Sequence, residues 1–147
     1  MMKSYRVRGA KIEDSTPCAE LVTILGYPTR PEQMRERLAQ ILSLEQSMTL
    51  VAEASDGNLL GLVGGTIGRY YEKDGLYARL NILVVSERSH GLGVGSALLT
   101  SIEEWAKSQN AQDIVVNSGN HRHGAHRFYE SIGYSATGVR LIKSLTG

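Results

Sequence analysis

Leu83-Val84-Val85-Ser86-Glu87-Arg88-Ser89-His90-Gly91-Leu92-Gly93-Val94-Gly95-Ser96-Ala97-Leu98-Leu99 is the stretch on which the reading of this chain turns. An apolar, β-branched run ends at Val85. Glycines then stand at alternate positions 91, 93 and 95, and Val94, Leu98, Ile102 and Trp105 recur near helical spacing. A strand, a glycine loop and a helix in that order aim several backbone N–H groups at one anion. The helix start has unpaired donors and the positive end of a dipole, and glycine removes the Cβ atoms that would hold a phosphate at a distance. The stretch therefore predicts a phosphate or pyrophosphate site.

Spacing narrows the ligand. A nucleotide-triphosphate loop ends in Gly-Lys-Ser/Thr, and no lysine precedes Ser96. A dinucleotide loop reads G-x-G-x-x-G near the start of a βαβ unit, whereas this chain reads G-x-G-x-G far from its N-terminus. The run His90-Gly91-Leu92-Gly93-Val94-Gly95 instead resembles the acyl-CoA loop of the Gcn5-related N-acetyltransferase (GNAT) superfamily, Gln/Arg-x-x-Gly-x-Gly/Ala. Gly93, Gly95, Ser96, Ala97, Leu98 and Leu99 match it, and His90 replaces the usual Gln or Arg. A second segment, Ala125-His126-Arg127-Phe128-Tyr129-Glu130-Ser131-Ile132-Gly133-Tyr134, is similar to the superfamily's Ala-x-x-Leu-Tyr-Glu-x-x-Gly-Phe. The asparagine that usually opens that segment is absent, since position 122 is Arg and Asn120 lies five residues before Ala125. Leu25-Gly26-Tyr27-Pro28-Thr29, ahead of Arg37-Leu38, resembles a bacterial small-molecule branch of the same superfamily.

Bulk properties agree with such an enzyme and exclude other classes. The chain's 147 residues suit one domain, 1–147, with a single core. Apolar residues make up 41% and charged ones 21%, as in soluble globular proteins. A net charge of +1 gives no electrostatic case for nucleic acid as a partner. One cysteine, Cys18, rules out an internal disulfide and is read as a packing residue. The N-terminus has no apolar signal core and no run reaches membrane-span length, so a cytoplasmic protein is expected.

The rest of the chain reads as elements in the order βααβββαβαββ, a mixed, mostly antiparallel α/β sheet of the acyl-CoA N-acyltransferase fold. Tyr5–Arg8 is a strand. Asp14-Ser15-Thr16-Pro17 reads as a helix start, with a capping oxygen and proline in the first turn; that helix runs through Leu25 and stops at Gly26, and a second follows from about Pro31 through Leu42. Thr49–Glu53 and Leu59–Ile67 flank an Asp56-Gly57 hairpin turn. Gly61, Gly64 and Gly65 signal bulges or close backbone approach. Tyr70–Gly75 is a turn and Tyr77–Val85 a strand, whose apolar end from Ile82 predicts cover on both faces. The helix after the loop runs to about Asn110. Asp113–Asn117 follows as a buried strand, then a helix from Ala125 to Ile132, and two final strands between Tyr134 and Leu145.

What the resemblance implies is acetyl transfer from acetyl-CoA to a primary amine by direct attack in a ternary complex. The amides of Gly91, Leu92, Gly93, Val94, Gly95 and Ser96, with His90 beside them, would hold the pyrophosphate. The pantetheine arm would lie between Leu83, Val84 and Val85 on one side and Asn117 on the other, with Phe128 packed alongside. The N–H of Leu83 is the donor for the thioester oxygen in the transition state. Tyr129 is the candidate acid for the leaving thiolate: a free thiol has pKa ~8.5 and a phenol ~10, so a neutral phenol can supply that proton.

Relatives often carry a glutamate base on the central strand; this chain has Arg79 and Asn81 there instead. Asn81 would hold a water that takes the amine's proton, or it satisfies nearby backbone. Glu72 and Asp74 are alternative acceptors or a solvated turn. Tyr27, Glu72 and Asp74, with Glu32 and Glu36, fall on segments that wall the acceptor in relatives, which makes an aminoglycoside or polyamine plausible. His121, His123 and His126 lack a carboxylate partner at ligand spacing, so no metal is expected. Arg122, His123 and Arg127 face either the 3′-phosphate of CoA or solvent. The rival functions are acetylation of protein N-termini or lysines, a non-catalytic acyl-CoA sensor, and a nucleotide-binding protein. Relatives are often homodimers.

Overall fold

The computed structural model describes residues 4–89, 91–117, 123–138 and 140–146. The chain divides into two compact units, 1–115 and 116–147. The first holds β1 (Tyr5–Gly9), α1 (Ser15–Leu25), α2 (Pro31–Leu42), β2 (Ser47–Ala54), β3 (Leu59–Arg69), β4 (Leu76–Val85) and α3 (Val94–Ser108). β5 (Ala111–Val116) completes a five-stranded sheet of order β1-β2-β3-β4-β5. The second unit contains α4 (His123–Ser131).

The pairings β1–β2, β2–β3 and β3–β4 are all antiparallel; short turns join β2 to β3 and β3 to β4, whereas α1 and α2 lie between β1 and β2. At the first turn Gly57 adopts φ +91° and the Asn58 amide donates to Asp56 Oδ1 at 3.0 Å. Gly75 closes the second with φ +117°. This meander brings the start of β1 and the end of β4 to one end of the sheet, where the glycine loop begins.

The two faces of the sheet are packed differently. On one, Leu62 and Val84 join Cys18, Leu21, Val22, Met34 and Leu38 of α1 and α2 in the main apolar core. On the other, α3 packs closely over the glycines Gly61 and Gly65 of β3. A Cβ on Gly61 would stand 2.7 Å from Leu98 Cδ1, and one on Gly65 would stand 3.4 Å from Ile102 Cγ1. The glycines of β3 are thus the seat of α3. Arg8, Asp14 and Glu53 tie β1, β2 and the entry to α1 together, with two Arg8–Asp14 hydrogen bonds of 2.9 Å.

Four expectations need correction. Asp14 does not cap α1 with its side chain; its carboxylate accepts from the Lys11 amide at 2.8 Å and from Arg8. A nearby guanidinium outcompetes the helix amides. The end of β4 is central, but only Val84 is buried, and Ile82, Leu83 and Val85 are half-buried. β5 is likewise only partly buried, with Gln112, Asp113 and Val115 exposed, since it lies at the end of the strand order. No strand follows α4 among the described residues: 134–138 and 140–146 are irregular, and Leu141, Ile142 and Leu145 are exposed. Apolar composition favours a strand but does not supply the hydrogen-bonded neighbour that a strand requires.

Candidate active site

β3 and β4 lose register between Gly64 and Gly65. Gly64 pairs with Ile82 and Gly65 with Leu80, so Asn81 is the extra residue of a β-bulge. A bulge leaves ladder groups unpaired and re-aims neighbouring side chains. Here it sits opposite two glycines, where no Cβ obstructs the distortion. Since residue 65 faces α3, alternation turns Thr66 and its cross-strand partner Arg79 to the opposite face. The Asn81 side-chain amide donates to Thr66 Oγ1 at 3.3 Å and therefore lies on that face too. Tyr77 continues the row, its ring folded across Gly68 and 5.0 Å from the ring of Tyr70.

Past Val85 the chain is hooked back by two buried serines. The Ser86 amide donates to the Leu60 carbonyl at 2.8 Å, and the Ser89 hydroxyl donates to the Ser86 carbonyl at 2.7 Å. The Leu92 amide donates to the Ser89 carbonyl, and the Tyr5 hydroxyl donates to the Leu92 carbonyl at 3.3 Å. Gly91 and Gly93 then take φ of +82° and +74°, which side chains resist. Gly93 is the N-cap of α3, and no side chain among the described residues caps that helix. The first helical donor is Ala97, bonded to the Gly93 carbonyl at 3.0 Å. The amides of Val94, Gly95 and Ser96 thus precede the hydrogen-bonded turns, with nothing within 4 Å of a Cβ built on Gly91 or Gly93. An open helix start of this kind is able to receive an anion. A cleft of roughly 530 Å³ flanks it between β1 and α3, lined by Tyr5, Arg6, Leu92, Gly93, Ser96 and Glu104.

Of the residues named from sequence, β4 and the loop bring together Asn81, Leu83, Val84, Val85, Gly91, Leu92, Gly93, Val94, Gly95 and Ser96. His90, with His121 and Arg122, lies outside the described residues. Asn117, Phe128 and Tyr129 belong to the second unit. There Phe128 and Tyr129 meet edge to face at 5.4 Å, Tyr129 is half-buried, and the Tyr134 amide donates to the Tyr129 carbonyl at 3.0 Å. Gly133 ends the helical stretch with φ +100°.

The acceptor candidates are dispersed. Tyr27 is exposed just beyond Gly26, which has φ +122° and terminates α1. Glu32 is paired with Arg30 at 2.7 Å. Glu72 and Asp74 stand exposed on the β3–β4 turn, at the end of β4 away from the glycine loop. That turn is pinned to β5: Tyr70 donates to Asp113, Lys73 pairs with Asp113 at 3.5 Å, and Gln112 Nε2 donates to the Asp74 carbonyl at 3.2 Å. The bond to Asp113 pushes the Tyr70 phenol up to about 12 and holds Asp113 below the usual carboxylate range. Cys18 is fully buried, and burial together with nearby Asp14 pushes its thiol up to about 12. It is a packing residue and no nucleophile.

Sequence reading missed the framework of the site: Ser86, Ser89 and Tyr5, which fix the loop, and Thr66, which holds Asn81. The two serines next to an acidic turn carried a weak turn signal. Tyr5 and Thr66 act over 87 and 15 residues of sequence and carried none.

A bulged β4, an uncapped helix start behind a glycine turn, and an antiparallel sheet with α3 on one face define the acyl-CoA N-acyltransferase fold. The chain belongs to the acetyltransferase (GNAT) family, whose family model matches residues 13–134. It is similar to a GNAT family acetyltransferase from Staphylococcus aureus: 27% identity over 97% of this chain and 99% of that one, TM-score 0.83. In fold it also matches glucosamine-6-phosphate N-acetyltransferase from Arabidopsis thaliana, at 20% identity, 96% and 98% coverage and TM-score 0.82. Among curated proteins it is similar to N-acetyltransferase 8 of Mus musculus, 31% identical over 109 residues, which is 71% of this chain and 46% of that protein. The chain spans less than half the length of such curated relatives. Among the described residues, no helix is long and apolar enough to cross a membrane.

Proposed function

We propose that this chain transfers the acetyl group of acetyl-CoA to a primary amine of a small molecule, by direct attack in a ternary complex. The observation that carries the reading is the pairing of one bulge with one open helix start on consecutive elements, β4 and α3. The amides of Gly91, Gly93, Val94, Gly95 and Ser96 hold the diphosphate without a metal; the Leu92 amide, expected among them, is taken instead by the Ser89 carbonyl. From there the pantetheine arm runs back along β4 past Leu83, Val84 and Val85; by resemblance to the family, Asn117 and Phe128 are the further residues assigned to that arm.

The amine nitrogen attacks the thioester carbon, the C–S bond breaks, and the N–H of Leu83 stabilises the developing oxyanion. Tyr129 gives its proton to the departing thiolate. The new amide's surplus proton leaves through a water held by Asn81 to bulk solvent. A cytoplasmic setting, where acetyl-CoA is made and thiols stay reduced, belongs to this reading.

Turnover measured with a panel of small amines and peptides, with free CoA thiol as the readout, tests it. Acetylation of small amines supports the reading. Activity on peptides alone, or binding of acetyl-CoA with no turnover on any amine, rejects it.

A further inference from the structure

The face of the sheet that carries Asn81 is not uniformly covered. Its upper half, around Leu62 and Val84, is buried under α1 and α2. Further along β4, on the turn side of the bulge, Arg79 and Asn81 are exposed, and Thr66 and Tyr77 are half-buried. A guanidinium thus stands in this open row, one side-chain position from the bulge. Among the described residues it has no ion-pair or hydrogen-bond partner. The nearby acids are committed or displaced: Asp113 is held by Tyr70 and Lys73, and Glu72 and Asp74 are on the turn beyond.

We propose that Arg79 selects the acceptor: the amine substrate carries an anionic oxygen group, carboxylate or phosphate, a few bonds from its nitrogen. This rests on the reading that transfer takes place at the β4 bulge. Residues two apart on a strand are separated by about 7 Å and point to one face. An amine at Asn81 therefore puts a group two to five bonds away within reach of the Arg79 fork. A guanidinium presents paired donors that match such an oxyanion and repels polycations. Thr66 sets the Asn81 amide beside it, and Tyr77 borders the far side of the row. Arg79 touches substrate but no reacting atom, so it is a specificity residue.

The test compares kcat and KM for matched acceptors: a free amino acid, its carboxamide, an aminoalkyl phosphate and spermidine. Each is run with the wild type, Arg79→Gln and Arg79→Lys. Arg79 is exposed, so neither variant disturbs the core. The expected result is that an anionic acceptor exceeds its neutral analogue in kcat/KM by about 10- to 100-fold, and that Arg79→Gln abolishes this margin. The loss falls in acceptor KM, Arg79→Lys restores part of it, and KM for acetyl-CoA is unchanged. Preference for the amino acid or for the phosphate tells which oxyanion is meant. Equal use of amino acid and carboxamide, a preference for spermidine, or equal losses on all acceptors in Arg79→Gln would overturn the proposal while leaving acetyl transfer intact. Failure to acetylate any amine would overturn the transfer reading itself, and this inference with it.

Discussion

Gly61 of β3 lies directly beneath Leu98 of α3, and a methyl group on it would stand 2.7 Å from Leu98 Cδ1. Val94 Cγ1 and the Val84 carbonyl would each be 3.1 Å away. This contact fixes the height of α3 above the sheet, and therefore the position of the amides at its start. Gly61→Ala should push α3 outward and cost about 1–3 kcal/mol of stability, the usual range for overpacking. Urea unfolding measures the loss. The variant should also bind acetyl-CoA more weakly, because the helix start moves with the helix. A variant as stable as the wild type would show that α3 is not seated on this glycine.

The Arg8–Asp14 pair gives stability a pH dependence with a definite sign. Burial alone would raise the Asp14 carboxyl, but the Arg8 guanidinium and the Lys11 amide together hold it below its ordinary value of 3.8. A depressed carboxylate stabilises the fold at pH above its unfolded value, and that contribution is lost as pH falls through the lower folded value. Asp14→Asn should therefore cost about 1–3 kcal/mol at pH 7. The gap to the wild type should narrow once pH drops below about 4. Denaturation of both proteins between pH 3 and pH 7 measures it; a gap independent of pH would contradict the assignment.

Cys18 should resist alkylation while the protein is folded. Its side chain has no exposed surface, and its thiol is pushed up to about 12, so thiolate is scarce at neutral pH. A thiol reagent at pH 7.5 should label it only in denaturant. Rapid labelling of the folded chain would mean that α1 opens readily.

Replacement of Tyr129 by Phe separates chemistry from binding. Loss of a general acid lowers kcat by about 10²–10⁴-fold. The acetyl-CoA affinity should hold, because the proposed grip on the diphosphate is by main-chain amides at the start of α3 and not by this side chain. The ring contacts with Phe128 and Tyr134 survive the change. Unchanged turnover would remove Tyr129 from the mechanism.

The helices and strands up to β5 were legible in the sequence because local signals mark them. Gly26, Gly57 and Gly75 stop or turn the chain with positive φ, and Pro31 opens α2. The turn into α3 was legible for the same reason: Gly91 and Gly93 take the positive φ that glycine permits. Other features were decided by distant parts of the chain. Asp14 abandons its helix for an arginine six residues back. The bulge falls at Asn81 because β3 offers Gly64 and Gly65 opposite, a matter of register between strands. Leu141, Ile142 and Leu145 have the composition of a strand, yet composition does not provide a partner edge. Glu72 and Asp74 are close to Asn81 in sequence, but β4 is extended and carries them away from the loop end.

In the proposed function, main-chain amides at the start of α3 and along the end of β4 hold the acyl carrier. Titration of the ¹⁵N-labelled chain with acetyl-CoA, followed by amide chemical shifts, tests it most directly. Saturable shifts concentrated at residues 91–96 and 81–85 are predicted, with those at 91–96 lost when the diphosphate is removed and only acetyl-pantetheine is supplied. Saturable binding that leaves those amides unmoved, or no binding at all, would contradict it.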